Sequence, residues 1–176
     1  MNRWSWQLAT SAPEQTQALA AALAALAGPG DLLVLAGEMG AGKTAFAQGF
    51  ARGLGIEEQV TSPTFTIIRE YAGGRLGLHH LDVYRLEHLR EVVDLGLGEL
   101  LDEDAVMLVE WGDAVLPALP DQYLDVRIAF GDGDDDRVLE ILARGSAWVA
   151  RERVLGEALG PWLSSGADGT DGVTSC

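Results

Sequence analysis

Eight consecutive residues, Gly37-Glu38-Met39-Gly40-Ala41-Gly42-Lys43-Thr44, fit the pattern G-x-x-x-x-G-K-[ST]. A loop of this kind cradles the phosphates of a nucleoside triphosphate. Glycines at 37, 40 and 42 permit backbone paths that a side chain would obstruct. The N–H groups from Gly37 to Ala45, those of Glu38 and Ala41 included, then line a concave anion site, reinforced by the N-terminus of the helix that should follow. Lys43 is expected to reach the β- and γ-phosphates, and the Thr44 hydroxyl to take one place in a Mg²⁺ shell. Lys43 is also the chain's single lysine among twelve basic residues. The position suits a slim point charge better than a planar guanidinium.

A phosphate loop needs a carboxylate on a neighbouring strand if it is to hold Mg²⁺. The stretch Val106–Trp111, VMLVEW, offers Glu110 at the end of an apolar run. It has the shape of a Walker B strand with Glu for the commoner Asp, although a surface Glu at a strand end has the same appearance. His79–Arg85, HHLDVYR, ends a second apolar stretch in polar residues. Strand alternation puts His80, Asp82 and Tyr84 on one face and His79 on the other. If that strand lies beside the loop, Asp82 could approach the γ-phosphate or the water around its metal. His79 and His88 read as structural or surface residues, and the role of His80 stays open. No acid or cysteine spacing supports a metal site built from these histidines. Thr61–Thr66, TSPTFT, is polar and stiffened by Pro63. It has the place of a segment that senses γ-phosphate through Ser62 or Thr64, and equally the look of an ordinary loop.

The elements that must hold these groups can be read in outline. Ser11–Glu14, SAPE, has capping-box spacing, and Leu19, Leu23 and Leu26 then share a helical face, with Gly28-Pro29-Gly30 as the stop. Leu32–Ala36, LLVLA, suits a buried parallel strand. Thr44–Leu54 has helical spacing at Phe46, Phe50 and Leu54, and Gly55 ends it. Phe65–Tyr71 and Leu76–Tyr84 read as strands around an AGGR turn. Glu87–Leu101 is helical with an interruption near Gly96 and Gly98, and Ala105–Trp111 is a second apolar strand. Tyr123–Phe130 and Arg137–Ala143 form an antiparallel pair around the acidic turn Asp132–Asp136, and Trp148–Leu163 is a terminal helix. Ser164–Cys176, rich in Gly, Ser and Asp, is expected to be disordered. The fold class expected is α/β, a P-loop NTPase fold with a mostly parallel central sheet, antiparallel strands and flanking helices. Residues 1–145 would form the ATPase domain, 146–163 a C-terminal helix and 164–176 a tail.

The chain has 176 residues, 48% of them hydrophobic, and a formal net charge of −15. That length carries one core of ordinary size. The acidity argues against a direct grip on nucleic acid, whose phosphates it would repel, and it serves solubility as well. The single cysteine, Cys176, allows no internal disulfide, which fits a reducing cytoplasm. Ala18–Ala27, ALAAALAALA, lacks a basic flank and is too short and too weakly apolar to span a bilayer, so a soluble, cytoplasmic protein with no membrane partner is expected.

GEMGAGKT, VTSPTF, HHLDVYR and LVEW occur in the order and approximate spacing of the TsaE family, and the chain resembles that family from about Leu8 to Ala143. The resemblance implies an ATP- and Mg²⁺-binding subunit that hydrolyses ATP weakly alone. It would support N6-threonylcarbamoyladenosine (t6A) modification of tRNA with TsaB and TsaD homologues, meeting tRNA only indirectly through the complex. It implies that Lys43 and the loop amides hold phosphates, that Thr44 and Glu110 ligate Mg²⁺, and that Asp82 acts in hydrolysis. Catalysis would thus fall to Asp82, Glu110 and Lys43. Trp111 takes the place beside the Mg²⁺ glutamate, Ser62–Phe65 match the switch-like S-P-T-[FY], and Thr10–Thr16 would lie near the base.

Three other functions share the loop. A stand-alone small-molecule kinase would add an arginine-bearing lid, yet Asp113–Leu124 has no arginine and Arg127 falls within a strand. A GTPase switch would need Asn-Lys-x-Asp, which a chain whose only Asn is Asn2 and only Lys is Lys43 cannot form. A nucleotide-dependent assembly factor, in which binding matters and hydrolysis is incidental, has no sequence feature against it. Arg85 is the one candidate for an arginine finger in cis, with a structural ion pair as its plainer role.

Overall fold

The computed structural model describes residues 4–63, 67–84, 93–94, 96–101 and 104–164. Seven strands form one sheet in the order β1-β7-β6-β2-β5-β4-β3. They are β1 (Trp4–Thr10), β2 (Leu32–Ala36), β3 (Ile68–Tyr71), β4 (Gly77–Asp82), β5 (Ala105–Glu110), β6 (Tyr123–Phe130) and β7 (Arg137–Arg144). β2 runs parallel to β5 on one side and β6 on the other, and β5 runs parallel to β4. The β3–β4, β6–β7 and β1–β7 pairs are antiparallel. The parallel strands β2 and β5 are buried along their whole length, which is why both are almost unbroken apolar runs.

One face of the sheet carries the helices α1 (Pro13–Ala24) and α2 (Lys43–Gly53), whose Leu19, Leu23, Phe46 and Phe50 meet Leu33, Leu35, Leu78 and Leu108 in the larger core. The other face is covered over β2, β4 and β5 by the short helix α3 (Leu97–Leu101) and a 3₁₀ segment, Gly112–Ala118, through Leu97, Val115 and Leu119. Two short helices, α4 (Ser146–Val149) and α5 (Glu152–Leu159), follow β7.

Several boundaries depart from the sequence expectation. The predicted Ser11–Glu14 capping box does not form: Pro13 opens the helix and holds Ala12 extended, so Ala12 takes the N-cap position without a side-chain cap. Ser11 lies one residue too early, and its N–H and hydroxyl donate to Gln15 Oε1 at 2.9 and 3.2 Å. β4 stops at Asp82 because the Asp82 carboxylate accepts the Tyr84 N–H at 3.0 Å, a turn that ends the ladder. No element was expected at Trp4–Thr10, yet β1 is there, with Trp6, Leu8 and Thr10 inward and their neighbours outward. The predicted terminal helix Trp148–Leu163 is broken at Ala150–Arg151. There the Arg151 guanidinium turns back to Asp31, 2.6 and 2.7 Å from its two oxygens, and lies over the Trp148 ring. This ion pair, with Asp31 also accepting the Gly28 N–H at 2.7 Å, fastens the C-terminal helices to the turn before β2. The expected helix at Glu87–Leu101 is described only in part, and Thr64–Thr66, Arg85, His88 and the tail beyond Ser164 lie outside the described residues.

Candidate functional site

The loop Gly37–Gly42 leaves the C-terminal end of β2 and enters α2. Gly42 is the helix N-cap with φ of +111°, a backbone conformation that strains any residue with a Cβ. At Gly37 a Cβ would lie 2.4 Å from the Ile128 carbonyl oxygen, so the loop can turn beside β6 only with no side chain there. The Glu38 carbonyl accepts the Ala41 N–H at 3.1 Å and closes the turn.

Lys43 is buried. Its ammonium donates to the Gly37 and Glu38 carbonyls at 2.6 and 2.8 Å and sits 4.0 Å from the centre of the Trp111 ring. Trp111 is held in a left-handed conformation, φ +60°, the one non-glycine residue with positive φ among those described. That turn brings its indole over Lys43 and against Tyr84, ring centres 4.7 Å apart. Burial lowers the Lys43 pKa below its ordinary 10.5, and the negative charges of Glu110, Asp82 and Asp113 oppose the shift. Thr44 is half-buried in the first turn of α2.

The two acids picked out in the sequence meet across the sheet. Asp82 and Glu110 are register partners at the ends of β4 and β5. Leu78 and Leu108 belong to the core under α2, so strand alternation puts His80, Asp82 and Glu110 on the side of α2. Glu110 is 3% exposed, and its Oε1 lies 2.8 Å from Nε2 of His80, which is itself fully buried. Asp82 is half-buried and accepts the Ser62 hydroxyl at 3.3 Å as well as the Tyr84 N–H. The Ser62 end of TSPTFT therefore touches the site. His79 is buried with Nδ1 3.9 Å from Glu70, away from His80 as alternation predicts.

Three arrangements escaped the sequence reading. The sequence leaves the role of His80 open, because its contact with Glu110 spans 30 positions. Arg137 reads in the sequence only as a strand residue. Its guanidinium reaches the loop, donating to the Ala41 carbonyl at 2.9 Å and more weakly to Gly40 at 3.5 Å. It also holds the Asp134 and Asp136 carbonyls at 2.8 and 2.7 Å and packs on Phe130, so the acidic hairpin is strapped to the Gly37–Gly42 loop. Thr10 and Thr16 hydroxyls are both buried and bonded to each other at 2.8 Å; they tie β1 to α1. A cavity of about 530 Å³ opens beside Gly37 on the other face of the sheet, lined in part by Gln7, Asp113, Arg127 and Glu140. Arg127 is committed there to Asp125, 3.1 Å away.

Among the described residues no three or more His, Cys, Asp or Glu side chains are placed to hold a metal by themselves. Glu110 and its register partner Asp82 supply carboxylate oxygens and Thr44, in the first turn of α2, a hydroxyl, and Mg²⁺ takes one or two carboxylates together with phosphate oxygens and water. These residues fit that cation with a nucleotide and supply no cage for a softer metal. No described helix is long and apolar enough to cross a membrane.

Residues 10–138 match the family model described as threonylcarbamoyl adenosine biosynthesis protein TsaE. The chain is 47% identical over 148 residues to the tRNA threonylcarbamoyladenosine biosynthesis protein TsaE of Bacillus subtilis (strain 168), covering 84% of this chain and 90% of the relative. It is 41% identical over 136 residues to the protein of the same name from Streptomyces coelicolor, covering 74% and 91%. Among solved structures, that of Bacillus subtilis YdiB superposes with a TM-score of 0.75 at 41% identity, covering 92% of this chain and 97% of that one.

Proposed function

The chain belongs to the TsaE family, and from that premise we propose that it is the Mg²⁺-dependent ATPase subunit supporting t6A modification of tRNA, working with TsaB and TsaD homologues in the cytoplasm. On this reading the fold is a P-loop NTPase fold. The observation that carries the proposal is the meeting of Lys43, Asp82 and Glu110 where β2, β4 and β5 end, close enough for both acids to act on the Lys43 charge.

The loop amides and Lys43 bind the ATP phosphates. For this Lys43 exchanges its bonds to the Gly37 and Glu38 carbonyls for phosphate oxygens. Thr44 and Glu110 would hold Mg²⁺, which when bound neutralises charge developing on those oxygens. Asp82, oriented by Tyr84 N–H and the Ser62 hydroxyl, accepts a hydrogen bond from the water that attacks the γ-phosphoryl group in line. Trp111 covers the lysine ammonium and limits its contact with bulk solvent, which strengthens its field on the phosphates. Among the described residues no arginine is placed as a finger: Arg127 pairs with Asp125 and Arg137 is tied to backbone carbonyls. Arg85 lies outside the described residues, and slow hydrolysis by the chain alone, with a partner completing the site, is the behaviour expected on this reading. The strongly acidic surface suits contact with protein partners and leaves tRNA to them.

The test is ATP hydrolysis by the purified chain, alone and then with TsaB, TsaD and tRNA. A low rate that rises with the partners is expected. A rate indifferent to them, or one that depends on a small metabolite and yields its phosphorylated form, would replace this reading with a kinase.

A further inference from the structure

We propose that His80 is a positioning residue for the divalent cation: its Nε2–H holds Oε1 of Glu110, fixing the carboxylate so that its other oxygen serves the metal. The inference rests on the reading of Glu110 as a Mg²⁺ ligand and extends it to a residue that never meets the nucleotide. His80 is fully buried and Glu110 nearly so, and the two are 2.8 Å apart. His80 lies two residues before Asp82 on β4, opposite Leu108 of β5, and so reaches Glu110 diagonally across the strand pair. The other ring nitrogen, Nδ1, is buried and has no hydrogen-bond partner among the described residues. A proton there would be an unpaired buried donor, so the tautomer that fits carries its proton on Nε2 and donates it to Glu110.

An unsupported Glu side chain turns freely about χ3. Buried at a strand end, it would spend much of its time with neither oxygen aimed at the cation. The hydrogen bond from His80 removes that freedom and occupies one oxygen. It is the one hydrogen bond Glu110's side chain makes within the described protein. Partners behind a metal ligand typically contribute about 10- to 100-fold in metal affinity. Asp82 has its own supports in Ser62 and Tyr84, so the two acids are oriented independently.

The test uses the full chain loaded with a non-hydrolysable ATP analogue, with Mn²⁺ as a paramagnetic substitute for Mg²⁺ titrated by electron paramagnetic resonance. His80→Leu is expected to raise the half-saturating Mn²⁺ concentration about 10- to 100-fold while the analogue's affinity in EDTA stays within about twofold. His80→Gln, whose amide donor can stand near the Nε2 position, should recover most of the loss. Wild-type Mn²⁺ binding in His80→Leu would overturn the proposal. So would an equal loss of analogue affinity in EDTA, since that is the signature of packing alone. Glu110→Gln separates the two levels: if it too binds Mn²⁺ normally, the assignment of Glu110 fails first, whereas a defect in Glu110→Gln without one in His80→Leu sinks His80 alone. Should His80→Leu fail to fold, His80→Asn, polar but too short to reach Oε1, carries the same expectations.

Discussion

Replacing Arg137 by alanine tests whether the Gly37–Gly42 loop, the proposed phosphate site, is held ready from a distance. The guanidinium donates to the Ala41 carbonyl at 2.9 Å, with a weaker approach to Gly40 at 3.5 Å. A hydrogen bond to a charged donor contributes about 1.5–3 kcal/mol. Arg137 is only half-buried and the Gly40 contact is long, so the lower end, about 1.5 kcal/mol, is the defensible figure. Without that strap, ATP must order the loop as it binds, and the lost free energy appears as weaker affinity, about tenfold for each 1.4 kcal/mol. Calorimetric titration of ATP into Arg137→Ala should therefore show Kd raised about tenfold, with Tm lower by roughly 3–6 °C. Arg137→Lys, which keeps the charge but cannot span loop and hairpin carbonyls together, should fall between. Wild-type affinity in Arg137→Ala would refute the strap as an element of preorganisation, whatever happened to Tm.

Lys43→Ala should abolish ATP binding in an equilibrium assay, while Asp82→Ala and Glu110→Ala should bind ATP and lose turnover; normal hydrolysis by both acid variants would dismiss the site as assigned. Burial lowers the Lys43 pKa beneath 10.5 and only the ammonium form attracts phosphate, so ATP affinity should fall with rising pH earlier than an exposed lysine would allow. An affinity flat up to pH 10.5, the ordinary lysine value, would contradict that. Gly49→Ala in α2 should destabilise the fold, although alanine is about 1 kcal/mol better than glycine in an open helix. The added methyl would lie 2.2 Å from the Gln17 carbonyl oxygen of α1, and overpacking costs about 1–3 kcal/mol. A rise in Tm would show that the helices can separate without penalty.

The groups proposed to bind phosphate lie within eight residues, so their types and spacing carried that expectation openly. The apolar runs Leu32–Ala36 and Ala105–Trp111 announced buried strands because strands covered on both faces need no polar alternation. Other features were local but outweighed. The alternation in Trp4–Thr10 was present yet overshadowed by the helix after it, and the Ser11–Glu14 box lost to the extended geometry that Pro13 imposes on Ala12.

What residue order alone determined, then, is the inventory: a glycine-rich loop, a lysine, two strand-end acids and the alternation that puts Asp82 and His80 on one face. Tertiary structure alone decided which of these meet. Asp82 and Glu110 become register partners only because β4 chose β5 as its parallel neighbour. The His80–Glu110 contact spans 30 positions and the Arg137–Ala41 bond 96. Periodicity reports which way a side chain faces within its own element, whereas the partner across the sheet is set by strand order and register, and those follow from burying the whole apolar surface at once.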